Sequence, residues 1–150
     1  MTQPEPTPIR DGPGRLVPLA GVHDARGSLA ALEFAAMPFT PQRFFAVFDV
    51  AGTASRGNHA HRECEQLLIC LSGSLSCSLD DGRRRATYRL VSPVVGLYVP
   101  RMTWGTQFGH SSDAVLGVFA SLSYDRGDYI DDYVDFSRLV AQGSQLGAED

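Results

Sequence analysis

The residues best equipped for chemistry in this chain of 150 residues lie close together: Arg56, then His59 and His61, then Glu65. Side chains in an extended segment alternate between faces, so histidines two apart project into the same space if they sit on a strand. An imidazole titrates near neutrality, and a pair of them can take a proton from carbon and move others between oxygens. Arg56 is placed to hold a developing enolate or a phosphate oxygen by charge-assisted hydrogen bonds. A second chemistry uses the same residues. Two imidazoles and a carboxylate form the ligand triad of non-haem iron, and with an open position they also suit catalytic zinc. At this level Glu65 is open to either role, or to orienting a ring. A purely structural use is disfavoured, because two ionisable rings are costly to bury without partners or purpose.

Strands are needed to position such a cluster, and the chain reads as strands almost throughout. The run Glu-Gln-Leu-Leu-Ile-Cys-Leu directly after the histidines has the continuous apolar pattern of a buried strand and ends at the turn Ser72-Gly73. Before them, Arg43 to Val50 is dense in aromatic and β-branched residues and stops at Gly52. Ser28 to Phe34 reads as an earlier strand, entered from the turn Asp24 to Gly27. Leu75 to Leu79 alternates with period two, Asp80-Asp81-Gly82 is a hairpin signal, and Arg84 to Val91 returns as its partner. Val94 to Val99 lies between prolines at 93 and 100, and Ala114 to Ser121 forms one more apolar run. About eight short strands separated by turn signals predict an all-β barrel or sandwich. Helix is expected only at the end, over Tyr129 to Val140, capping one barrel end. Residues 1–15 are expected to be a disordered arm, 16–140 the domain, and 141–150 a frayed tail.

Composition narrows the function. Hydrophobic residues make up 43% and there are 15 glycines and 9 prolines, which describes a folded, turn-rich chain. No apolar run approaches the ~20 residues of a membrane span, and the start Met-Thr-Gln-Pro-Glu-Pro is not a signal peptide, so a cytoplasmic protein with no membrane partner is expected. Three cysteines, Cys64, Cys70 and Cys77, form no close pair and read as small core residues. A net charge of −4, with basic residues clustered only at Arg83-Arg84-Arg85, argues against nucleic acid.

The motifs taken in order carry a resemblance. His-x-His, a glutamate four residues after the second histidine, and a glycine after the next apolar strand resemble the first motif of the cupin β-barrels. Arg56 to Arg62, Glu65-Gln66, Leu71 to Ser74 and Asp80-Asp81-Gly82 resemble the sugar 3,4-ketoisomerases. Ser92 to Pro100, Trp104, Ala120-Ser121, Tyr124-Asp125 and Asp128-Tyr129-Ile130 continue the likeness, and Arg26-Gly27-Ser28-Leu29 matches near the start. The resemblance covers roughly residues 16–140. It implies a cupin-type jelly roll and an isomerase that moves the keto group of a dTDP-linked 4-keto-6-deoxyhexose from C4 to C3 through an enediol. It implies His59 and His61 as acid–base groups with Arg56. Arg26, Arg43, Phe45, Glu65, Tyr98 and Trp104 are implied as substrate-binding residues, with no metal, no cofactor and a homodimer. Two departures stand out. The family carries tyrosines where this chain has Phe45 and Ala46, and a histidine where it has Gly105. They leave open a repurposed barrel performing an epimerisation or a cyclisation in natural-product assembly, or a non-catalytic small-molecule binder.

Overall fold

The computed structural model describes residues 13–146, and within them the chain alternates short strands with tight turns before ending in one helix. Two five-stranded antiparallel sheets face each other. The first places β1 (Arg15–Pro18), β9 (Val95–Val99), β6 (Gln66–Ser72), β11 (Val115–Ala120) and β4 (Arg43–Phe48) side by side in that order. The second runs β12 (Tyr129–Ile130), β5 (Arg56–His61), β10 (Trp104–Phe108), β7 (Leu75–Asp80), β8 (Arg85–Leu90). A separate hairpin, β2 (Ala20–Asp24) with β3 (Gly27–Ala31), precedes them. This all-β architecture is what the strand pattern predicts, and it is the cupin-type jelly roll that the resemblance implies.

Alternation along β6 explains why that strand is apolar without interruption. Leu68 and Cys70 point between the sheets and pack with Leu75, Cys77, Leu79, Leu90, Leu97, Val99, Leu116 and Val118. Leu67 and Ile69 point the other way, into a second cluster with Leu19, Val17, Leu32, Phe39, Tyr98 and Phe119. A third cluster covers the outside of the second sheet, where α1 (Tyr133–Leu146) lays the fully buried Phe136 against Ala60 of β5 and Ile130 of β12. The histidines flank Ala60 in sequence. With Ala60 turned out to the helix, His59 and His61 must turn in, and the helix thus braces the back of the strand that presents them.

Several expectations need correction. The helix begins at Tyr133, because Tyr129 and Ile130 pair with His61 and Ala60 as a strand. Asp132 then caps it, its carboxylate accepting the Asp135 amide at 3.0 Å. The helix covers a sheet face and not a barrel end, and it continues through the expected tail to Leu146. The strand expected over Ser28 to Phe34 ends at Ala31, and Phe34–Ala36 forms a 3₁₀ turn. The expected arm lies outside the described residues up to residue 12, but Pro13 and Gly14 are buried and the Gly14 carbonyl accepts the Tyr88 hydroxyl at 3.2 Å. Strand β10, Trp-Gly-Thr-Gln-Phe, is too polar for its periodicity to announce it.

Candidate active site

The chain makes a local distortion to present its first histidine. Opposite β10 the register slips, so that Gly105 faces His59 while Thr106 faces Gly57, and Asn58 is the extra, bulged residue. Gly57 and Asn58 both adopt left-handed φ angles, 80° and 57°. Only glycine fits at 57, since a Cβ there would stand 2.9 Å from the Gly105 carbonyl oxygen. Asn58 is held by the Thr106 hydroxyl, which donates to its side-chain oxygen at 3.1 Å. The bulge turns the Gly57 carbonyl toward the His59 ring, which meets it through Nδ1 at 2.9 Å. A carbonyl only accepts, so His59 carries its proton on Nδ1 and leaves Nε2 as a lone pair.

His61 is fixed by a different device with the same outcome. Its Nδ1 lies 3.0 Å from the buried Asp128 carboxylate. That carboxylate is itself anchored by the amides of Glu63, at 2.7 Å, and Cys64, at 3.2 Å. On the far side of the ring the Gln66 amide approaches Nε2 at 3.5 Å. Asp128 accepts and the Gln66 amide donates, so this ring too is the Nδ1–H tautomer with Nε2 unprotonated. Burial and the neighbouring His59 hold the His61 pKa below the ordinary imidazole value, partly offset by Asp128, which keeps the ring neutral and basic near neutrality. The two rings meet edge to face with centroids 4.9 Å apart, and Tyr129 contacts both, at 4.8 Å from His59 and 4.5 Å from His61.

His59 opens onto a cleft, and His61 onto a smaller chamber beside it. About 400 Å³ of space opens between the sheets over Arg43, Phe45, Arg56, His59, Gln66 and Tyr129. The Arg43 guanidinium lies 4.6 Å from the Phe45 ring centre and 5.1 Å from that of Tyr124. A narrower chamber behind the histidines is bounded by His61, Cys64, Gln66 and Gly105. Cationic arginines over a pair of imidazoles can bind an anionic ligand and exchange protons with the part of it that reaches the rings.

Of the expected site residues, His59, Arg56, Arg43 and Phe45 line this cleft and His61 the adjoining chamber, and the others lie elsewhere. Glu65 precedes β6 and takes the opposite face from Gln66, where its carboxylate accepts the Tyr98 hydroxyl. That pairing holds the Tyr98 pKa up at about 12, with burial the larger cause. Glu65 and Tyr98 therefore sit beside the outer cluster, and the triad of His59, His61 and Glu65 is not assembled. Trp104 faces the helix, 5.3 Å from Tyr133 and 5.8 Å from Phe136, while its neighbour Gly105 takes the inward position. Arg26 is at the exposed tip of the β2–β3 hairpin, paired with Asp24 at 2.8 Å, away from the cleft of its own chain. Asp128, Tyr129 and Gln66 are the functional groups that reading for periodicity misses. Asp128 lies in a 3₁₀ turn where no pattern marks it; only its place beside Tyr129-Ile130 in the shared motif set it apart.

Comparisons with known proteins place the fold and the family. The family described as FdtA, WxcM-like, C-terminal, matches residues 14–141. A TDP-4-oxo-6-deoxy-α-D-glucose-3,4-oxoisomerase of Aneurinibacillus thermoaerophilus is 44% identical over 120 residues, which is 79% of this chain and 86% of that protein. A 3,4-ketoisomerase from Helicobacter canadensis superposes with a TM-score of 0.83 at 36% identity, covering 87% of this chain and 99% of the other. A mutant of the 3,4-ketoisomerase QdtA from Thermoanaerobacterium thermosaccharolyticum, solved in complex with TDP-4-keto-6-deoxyglucose, gives 0.84 at 30% identity, covering 87% and 95%. The chain belongs to this FdtA family of cupin-fold sugar 3,4-ketoisomerases and is an isomerase.

Proposed function

We propose that the protein converts a TDP-linked 4-keto-6-deoxyhexose to its 3-keto isomer by histidine-mediated proton transfer through an enediol. The observation that carries this reading is the matched tautomer of the two rings. Each Nδ1 is spoken for, by the Asp128 carboxylate or by the Gly57 carbonyl, and each Nε2 keeps a lone pair that can take a proton, that of His61 facing only the long contact to the Gln66 amide. His61 is the carbon base. It breaks the C3–H bond, the electron pair forms the C3–C4 double bond, and O4 becomes the enediolate oxygen. The imidazolium so formed is stabilised by Asp128, the one carboxylate in contact with it among the described residues. His59 moves a proton from O3 to O4 through Nε2, and return of a proton to C4 leaves the ketone at C3. Arg56 and Arg43 hold the diphosphate and offset the enediolate charge. Tyr129 packs against both rings and limits their rotation.

A homodimer is part of the same proposal. Strand β4 is a sheet edge, and its outer face leaves Phe44 53% and Phe48 61% exposed beside Phe34 and Leu71. An apolar patch of that kind marks a protein interface.

The test is incubation with TDP-4-keto-6-deoxyglucose in deuterated water, followed by proton NMR. A 3-keto product with deuterium at C4 is expected, and His61→Asn should stop washout of the C3 proton while leaving TDP binding intact. Wild-type protein that binds the sugar without converting it would overturn the reading. The apolar wall at Phe45 and Ala46 would then point to a different ligand.

A further inference from the structure

We propose that His61, Cys64 and Asp128 form a binding site for a thiophilic divalent cation such as Zn²⁺, and that filling it switches the histidine pair off. The switching step rests on the assignment of His61 as the carbon base; the binding step does not. One donor atom from each of the three side chains lies within 4.8 Å of the other two. All three residues are buried, at 8%, 6% and 7% exposure, so the donors are set by the fold and not by mobile surface chains.

The geometry is close to what such an ion takes. Tetrahedral zinc with nitrogen, sulfur and oxygen ligands holds its donor atoms roughly 3.4 to 3.6 Å apart. His61 Nδ1 and Asp128 Oδ2 stand at 3.0 Å, slightly too near, and the sulfur has a short distance to close. The thiol now donates to the Glu65 carbonyl at 3.4 Å and accepts from the Ser121 hydroxyl at 3.8 Å, two weak sulfur hydrogen bonds that a metal–thiolate bond would replace. The adjoining chamber of about 20 Å³, bounded by His61, Cys64 and Gln66, has space for one water. Thiolate with imidazole selects zinc or cobalt over magnesium or calcium.

No electrons move when the site fills. The Cys64 thiol releases its proton to solvent, about one per ion bound. The ring proton of His61 passes from Nδ1 to Nε2 through water, and Nδ1 binds the metal. Nε2, the lone pair that would receive the C3 proton, is thereby capped. A single cation removes the base without entering the substrate cleft. Cys64, which the proton-transfer scheme does not use, thus acquires a role.

Cobalt(II) is the probe, because it reports its ligands without turnover. Titrating the full chain should give tetrahedral ligand-field bands and a thiolate-to-cobalt charge-transfer band, saturating at about one ion per chain and displaced by Zn²⁺. Cys64→Ser and Cys64→Ala should each lose the charge-transfer band, with unchanged circular dichroism showing that the fold persists. In parallel, Zn²⁺ should inhibit wild-type isomerase reversibly to chelator, and at least tenfold more weakly in Cys64→Ser. Absence of the charge-transfer band, or its survival in both Cys64 variants, overturns the site. A band that titrates normally while zinc leaves turnover untouched overturns the switch and, with it, His61 as the base. A normal band on a chain with no isomerase activity sustains the site and defeats the functional reading alone.

Discussion

Asp128→Asn removes a charge while keeping size and shape, and so isolates what the carboxylate does for His61. In the resting enzyme Asp128 accepts the Nδ1 proton at 3.0 Å together with two backbone amides. When His61 takes a proton from carbon, that contact becomes a charge-assisted bond within a buried pair, worth about 1.5–3 kcal/mol. At about 1.36 kcal/mol per factor of ten, its loss should lower kcat roughly 10- to 150-fold. Contacts to the diphosphate are untouched, so KM should hardly change. The pH profile adds a reading that simple misfolding cannot mimic. Asp128 raises the His61 pKa against burial and the neighbouring His59, which lower it. Removing Asp128 leaves the lowering influences in place. The acid limb of kcat/KM should therefore move to lower pH in the variant. Steady-state turnover across pH, with NMR of the 3-keto product, measures both. A kcat within about threefold of wild type, or an acid limb that stays or moves to higher pH, would refute the argument.

Two further outcomes are expected. Light scattering should give twice the mass of one chain, and Phe44→Asp with Phe48→Asp should halve it by placing charge on the exposed outer face of β4; a wild-type monomer at micromolar concentration would defeat the interface. His110 is 6% exposed with neither ring nitrogen hydrogen-bonded among the described residues, and burial with the nearby Arg56 charge lowers its pKa. Above the ordinary value of about 6.5 the ring is neutral in both folded and unfolded chains and does not affect stability. As pH falls below that value the unfolded chain gains a proton first, so stability declines until the folded pKa is reached. His110→Leu should flatten this decline in urea unfolding, incompletely because His61 has a lowered pKa too; an unchanged slope would show that His110 is not the cause.

Much of the barrel was legible from residue order, and the limits were local. Alternation in Leu-Ser-Cys-Ser-Leu and the Asp-Asp-Gly turn gave β7 and its hairpin, since one face of that strand packs in the core and the other does not. The shared face of His59 and His61 followed from spacing alone. Glu65 was misplaced because the chain bends between His61 and Gln66, and a bend resets the phase of alternation: Gln66 and not Glu65 inherits the inward side. Trp104, which the resemblance implied at the substrate, lies with its ring against the helix, and the weak pattern of strand β10 gave no sign of which face it takes. Asp128 was invisible to periodicity for another reason. Its value comes from a partner 67 residues away, and only a fold brings those together.

That separation has a consequence for how the protein is made. All strands of the two facing sheets except β12 are in place by Ala120, so most of the buried apolar surface can be gathered before residue 128 joins. The segment that follows then adds β12 to the edge of β5, lays Phe136 beneath it, and brings the carboxylate to His61. Contacts of such long sequence separation close late, because loop entropy must be overcome first. A chain interrupted after β11 would hold both histidines on a formed barrel and yet lack the anchor that sets the tautomer of the second. On the proposed mechanism, such a copy would keep its arginines and the His59 held by Gly57 but lack the anchored His61, so the last segment to join would be the one that completes the pair.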